Sequence, residues 1–201
     1  MTNNEFILKY LDSFYVEERS DKIYYLITQY YPDKTLHHLI RRKLAINEPF
    51  NSNELKEFSK QLLNGINYLH SVNIIHRDIK PGNIFINGLN LVIGDLGHAK
   101  HFKISVSNRV SKFSAAYGTD AYNAPESDDQ DYSSKIDIWS FGCVLFEMIK
   151  LRRLFDQKTK RDLNNRIYNF DPEKDIQQEN IEPFFDSILK KFEFFKILVF
   201  I

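Results

Sequence analysis

The chain has 201 residues, 43% of them hydrophobic and 27% charged, a balance that suits one folded domain with a sizeable core and excludes a disordered chain. Lysine plus arginine (27) equals aspartate plus glutamate (27), so the net charge gives no reason to expect nucleic acid or an anionic membrane as a partner. The single cysteine, Cys143, excludes an intrachain disulfide and any zinc site built on several cysteines.

The first twenty residues mix Asn, Glu, Asp and Lys with apolar residues, and the most apolar stretch, Phe192 to Ile201, spans ten residues with Glu193 and Lys196 inside it. Neither a signal peptide nor a membrane span is expected from such segments. The expectation is a soluble intracellular protein, cytoplasmic, with a nuclear location also open.

In chain order, Phe6 to Leu11 and Ile23 to Tyr31 are rich in Ile, Leu and Tyr and flank the polar segment Glu17 to Asp21, which predicts an antiparallel hairpin broken by Pro32-Asp33. A short helix is expected over Leu36 to Leu44. A longer one is expected from about Asn53 to His70, where Leu55, Phe58, Leu62, Leu63, Ile66 and Leu69 recur every three or four residues and Ser52 or Asn53 can cap the start. Ile74-Ile75 is a strand stub that delivers the chain to His76-Arg77-Asp78-Ile79-Lys80-Pro81-Gly82-Asn83.

Two short strands, Ile84-Phe85-Ile86 and Leu91-Val92-Ile93, follow around the turn Asn87 to Asn90 and end at Gly94-Asp95-Leu96-Gly97. Residues 98–117 are polar and aperiodic, which suits a surface loop. Ser134-Lys135-Ile136-Asp137 has the spacing of a capping box and opens an apolar helix through Trp139, Cys143 and Ile149. Beyond Leu151 a helix is expected from Arg161 to Tyr168, then a loop from Asp171 to Glu182, a helix opened by Pro183, and an uncharged, strand-prone tail from Ile197 to Ile201.

The octapeptide HRDIKPGN resembles the catalytic loop of protein kinases. D-L-G at 95–97, G-T-D-A-Y-N-A-P-E at 118–126 and D-I-W-S-F-G at 137–142 resemble the family's D-F-G, its activation-segment ending and its D-x-W-S-x-G, in the family's order. What the resemblance implies is an α+β, protein-kinase-like fold, with a mainly helical large lobe and a two-strand remnant of the small-lobe sheet. The implied division is a small-lobe remnant and hinge over 1–31, a large lobe over 32–192 with catalytic loop 76–83 and activation segment 95–126, and a tail over 193–201.

The implied chemistry is ATP-dependent phosphoryl transfer to Ser or Thr hydroxyls of a protein substrate. Asp78 would be the base, Lys80 would steady the γ-phosphate, and Asn83 with Asp95 would hold Mg²⁺. Thr28, Gln29, Tyr30 and Tyr31 would be gatekeeper and hinge for adenine, with Phe85 beside them. Thr119 would support Asp78 and Lys80, and Asp137 would accept backbone hydrogen bonds from the catalytic loop. Arg77 would pair with a phosphate on the activation loop, for which Ser114 and Ser111 are candidates. HRDIKPGN with its Ile-Phe-Ile strand looks somewhat like the NIMA-related kinases.

The first glycine is Gly65, so the family's Gly-rich loop, strand Lys and helix Glu are expected to be missing ahead of Phe6, and Glu126 is expected to lack its usual arginine partner. That leaves a second reading open, a catalytically impaired kinase relative acting as an interaction module whose partner covers the incomplete small lobe. A third reading is a hydrolase using a His/Asp pair such as His76 and Asp78; no nucleophile elbow supports it.

Overall fold

The computed structural model describes residues 4–18, 21–101, 120–128, 132–177, 179 and 181. Ser111, Ser114, Thr119, the helix at Pro183 and the apolar tail lie outside the described residues. Eleven helices and strands can be followed among the rest, and their order is that of a small two-stranded ribbon followed by a mainly helical body.

The ribbon is β1 (Tyr10–Glu18) paired antiparallel with β2 (Asp21–Thr28). Its first strand begins later and runs further than the sequence suggests, because cross-strand partners continue to the end of the hairpin. Phe14 stacks on Tyr25 with ring centroids 4.9 Å apart, and Glu17 meets Lys22 at 3.2 Å, the pairs that stabilise an antiparallel ribbon. Phe6 to Leu8 are apolar for another reason. They run beside the later segment Asn90–Ile93 and form a parallel bridge at Ile7–Ile93, where Leu8 N–H donates to the Ile93 carbonyl and Ile93 N–H to the Phe6 carbonyl, each at 2.8 Å, and Ile7 is buried there.

Helix α1 (Leu36–Ala45) and helix α2 (Ser52–Ser71) follow. The α2 cap is Asn51 rather than Ser52 or Asn53: its side chain accepts from Asn53 N and Glu54 N, each at 3.0 Å, and Glu54 Oε2 accepts back from Asn51 N at 2.8 Å. That reciprocal box satisfies donors that a helix start otherwise leaves open. The predicted apolar stripe is buried, with Leu55, Phe58, Leu62, Ile66 and Leu69 all in the core; Leu63 packs at its margin.

Gly65 of α2 lies against Phe6 and Ile93. A methyl group there would sit 2.8 Å from Ile93 Cδ1 and 3.3 Å from the Phe6 carbonyl oxygen. Gly65→Ala is therefore expected to lose about 1 to 3 kcal/mol to overpacking against about 1 kcal/mol of helix propensity gained. A urea midpoint lower than that of the unsubstituted chain is the expected net result.

The body is completed by β3 (Ile74–Ile75), β4 (Ile84–Asn87), β5 (Asn90–Ile93), β6 (Lys100–His101), α3 (Lys135–Lys150), α4 (Lys160–Tyr168) and α5 (Pro172–Gln177). Strand β3 pairs with β6 and β4 with β5. The β3–β6 pairing corrects the expectation that everything from residue 98 onward is surface loop. The β4–β5 turn uses Gly88 at φ +64°, a conformation that suits glycine. Gln61 reaches it from α2, accepting from Leu91 N at 2.7 Å and donating to the Leu89 carbonyl at 3.3 Å.

Helix α3 is buried on nearly every face, and Trp139 stacks flat on Phe155 at 5.8 Å. Cys143 is buried there, and burial pushes its thiol up, which makes it an inert core residue. Helix α5 occupies part of the segment read from sequence as a loop; its six residues are too few for a periodic signal. No helix among the described residues is long and apolar enough to cross a membrane.

Candidate active site

The catalytic loop is hung from one buried carboxylate at the start of α3. Asp137 is fully buried. Its Oδ1 accepts Arg77 N–H at 2.8 Å, and its Oδ2 accepts His76 N–H at 2.9 Å and His70 Nε2 at 2.8 Å. The capping box read at Ser134 to Asp137 therefore does not form: Ser134 makes no side-chain cap, and the carboxylate is committed to the loop. Two backbone donors and an imidazole converge on a group that would be costly to bury unpaired.

The loop is clipped to β5 by a second set of bonds. His76 is buried; its Nδ1 accepts from Asp78 N at 3.2 Å and its Nε2 donates to the Gly94 carbonyl at 2.9 Å, which fixes the Nε2–H tautomer. Gly94 N–H returns a bond to the Asn83 carbonyl at 2.8 Å. Gly94 immediately precedes Asp95, so these bonds set the position of Asp95 relative to Asp78 and Asn83.

Asp78 is 6% exposed, and its described partners all fall on one oxygen. Lys80 Nζ lies 2.7 Å from Oδ2, Asn83 Nδ2 2.8 Å and His98 Nδ1 3.5 Å. Oδ1 accepts no hydrogen bond among the described residues, which leaves a carboxylate oxygen oriented but uncommitted. Asn83 Nδ2 also donates to the Asp78 carbonyl at 2.9 Å. Because the amide nitrogen is spent on Asp78, Asn83 presents its Oδ1 as an oxygen donor.

Asp95 is exposed, holds a left-handed backbone at φ +57°, and caps the next turn by accepting from Gly97 N at 3.3 Å. An Asp carboxylate and an amide oxygen are the hard donors that Mg²⁺ takes, and two protein ligands suit an ion that completes its shell with phosphate and water. The residues present fit that ion. Among the described residues no three His, Cys, Asp or Glu side chains converge as a dedicated metal cage.

On the ribbon side, Thr28 ends β2 and pairs with Tyr10. Gln29 N–H donates to the Lys9 carbonyl at 3.1 Å, and the Tyr31 carbonyl accepts from Lys34 N at 3.3 Å. Tyr30 points outward, 83% exposed, whereas Tyr31 is buried and packs against Phe85 with centroids 5.7 Å apart. Burial pushes the Tyr31 phenol up. The Tyr31 N–H donates to nothing among the described residues. Tyr31 and Phe85 are thus brought together, and the Tyr30 side chain lies in solvent.

Several site contacts have no signal in the sequence pattern. His70, His98, Gly94 and Tyr132 belong to this group; Tyr132 accepts from Arg77 Nη1 at 2.9 Å. Farther along, the Tyr122 phenol donates to Glu147 Oε2 at 2.5 Å, and its carbonyl accepts from Ser140 Oγ at 2.7 Å. Burial, then the Glu147 charge and hydrogen bond, raise that phenol far above the ordinary tyrosine range. Glu126 is half-buried and is not without a partner.

A two-stranded ribbon above a helical body, with an Asp-Lys-Asn loop hung from a buried helix and facing an Asp at a strand end, defines the protein-kinase-like class. The Protein kinase domain family matches residues 1–194, and the chain belongs to that family. It is 34% identical over 158 residues to the serine/threonine-protein kinase nekl-2 of Caenorhabditis elegans, covering 75% of this chain and 42% of that protein. It is 35% identical over 126 residues to the mitogen-activated protein kinase mpkA of Aspergillus fumigatus, covering 61% and 30%. Against the mitogen-activated protein kinase homolog MMK2 of Medicago sativa it is 39% identical over 127 residues, covering 61% and 32%. The chain thus spans less than half the length of these relatives.

Proposed function

We propose that the chain carries the base and metal side of a serine/threonine kinase site, transferring the γ-phosphate of ATP to a protein hydroxyl. The observation that carries this reading is the geometry of Asp78: Lys80 and Asn83 hold Oδ2 at 2.7 and 2.8 Å, while Oδ1 accepts no hydrogen bond among the described residues. In this reading Oδ1 orients the substrate hydroxyl and receives its proton as the oxygen attacks phosphorus. The proton moves to Asp78, the new O–P bond forms, and the bond to the β-phosphate oxygen breaks to leave ADP.

Lys80 is placed by its ion pair to reach from Asp78 toward the transferring phosphoryl group. Asn83 Oδ1 and the Asp95 carboxylate are the oxygens that would hold Mg²⁺, which neutralises charge on the phosphates when bound. Tyr31 N–H and the Tyr31–Phe85 pair are assigned to adenine, with Thr28 behind and Gln29 and Tyr30 as hinge backbone. In this reading the sequence divides into a small-lobe and hinge portion over 1–31, a large-lobe portion over 32–192 and a remainder over 193–201.

The test is Mg·ATP binding followed by thermal shift. The expected result is a rise in melting temperature for the unsubstituted chain and a rise largely abolished in Asp95→Ala and Asn83→Ala, since ligand stabilisation scales with the logarithm of ligand concentration over Kd. The competing reading, an interaction module, draws on the ribbon, where Leu11, Tyr24 and Leu26 are all more than half exposed. It predicts no Mg·ATP shift at all.

A further inference from the structure

Arg77 holds φ at +68°, a left-handed backbone that a non-glycine residue keeps only where its surroundings over-determine it. Among the described residues, three groups from separate parts of the chain hold it there. Asp137 Oδ1 accepts the Arg77 N–H at 2.8 Å, the His98 carbonyl accepts from Nε at 2.6 Å, and the Tyr132 hydroxyl accepts from Nη1 at 2.9 Å. Asp78 is the next residue. Relaxation of Arg77 toward negative φ would rotate the planar peptide that carries Asp78 and re-aim its carboxylate.

Tyr132 is well placed to resist that relaxation. Its ring is buried in the same core as Ile136 and Trp139, so the hydroxyl is delivered by a packed element and not by a free side chain. A phenol oxygen also accepts from a guanidinium without needing any modification of the chain.

We propose that Tyr132 is a positioning residue for Asp78: with the His98 carbonyl it holds the Arg77 guanidinium, and so keeps the backbone that aims the base without a phosphate on the chain. The inference rests on the phosphoryl-transfer reading of the site. A phosphate would bind Arg77 more strongly than a phenol does, so the role of Tyr132 is largest when Ser111 and Ser114 are unmodified.

Tyr132→Phe removes one oxygen and keeps the ring. With phosphatase-treated protein, kcat is expected to fall about tenfold while KM for Mg·ATP and for peptide stays the same, in line with loss of one hydrogen bond to a charged group. Arg77→Lys should lose a similar factor, and the double variant should lose no more than either single one. Phosphatase treatment of the unsubstituted chain should leave its rate unchanged.

A readout independent of turnover is the Arg77 Nη1–H resonance by NMR, the donor that the Tyr132 hydroxyl accepts, expected to be slow to exchange in the unsubstituted chain and fast in Tyr132→Phe. A chain that transfers no phosphate but shows this change would remove the functional reading and leave the positioning contact standing. An unchanged resonance in folded Tyr132→Phe, an unchanged kcat in an active chain, or loss of the unsubstituted chain's activity on phosphatase treatment would each overturn the proposal.

Discussion

Replacing Asp137 by alanine lowers the stability of the chain by about 3 to 5 kcal/mol, the cost of breaking a buried charged network by removing one partner. The carboxylate is fully buried and accepts from Arg77 N, His76 N and His70 Nε2. Without it, the buried His76 N–H and the partly buried Arg77 N–H and His70 imidazole lose their acceptor, and each unsatisfied buried group costs about 1 to 3 kcal/mol. Against a total stability of about 5 to 15 kcal/mol for a domain, that loss is large enough to move a urea midpoint well outside measurement scatter. Glu17→Ala, which removes the pair with Lys22 on the exposed ribbon, should leave the midpoint nearly unchanged, since such pairs contribute little. Equal effects of the two substitutions would contradict the account of how the loop is hung.

Asp78→Asn is expected to cut the rate of phosphoryl transfer by about 10² to 10⁴, the range over which a positioned general base contributes. The substitution keeps the shape of the side chain and a carbonyl oxygen that can still accept from Asn83 Nδ2. What it removes is the proton-accepting charge and the ion pair with Lys80 at 2.7 Å. Asn83 and Asp95 are untouched, so Mg·ATP should raise the melting temperature of the variant as it does for the parent. A kcat loss with retained Mg·ATP binding separates the base from the metal side of the site. A variant that loses nucleotide binding to the same extent as turnover would show instead that Asp78 organises the whole loop.

The sequence made the helical body and the chemistry of the loop readable for different reasons. Helix α2 announces itself because its apolar positions share one face, and β4 and β5 because a turn with Gly88 separates two apolar triplets. The site residues are readable because Asp78, Lys80 and Asn83 lie within six residues of one another and Asp95 ends the next hairpin. In the structure Lys80 and Asn83 both touch Asp78.

The failures also have physical causes. Phe6 to Leu8 look like part of the hairpin strand because they are apolar, yet they bridge in parallel to β5 at Ile7–Ile93, and local alternation cannot say which neighbour an apolar run pairs with. Ser134 to Asp137 carry a capping-box spacing, but spacing does not say whether a carboxylate turns back on its own helix or outward to His76 and Arg77. His98 and Tyr132 reach Asp78 and Arg77 across 20 and 55 residues of chain (98 − 78 and 132 − 77). Nothing local marks such contacts. Asn51 was passed over because Ser52 and Asn53 are equally good caps by residue type, and only the return bond from Glu54 selects among them.

The central claim is that this loop transfers phosphate to a hydroxyl, and the most direct measurement is incorporation of label from γ-labelled ATP into peptides that differ only in carrying Ser, Thr or Tyr. The account predicts Mg²⁺-dependent label in the Ser and Thr peptides, and label at or below about one hundredth of that level with Asp78→Asn. Label that is the same with Asp78→Asn, or no label in any peptide although Mg·ATP raises the melting temperature, would contradict it.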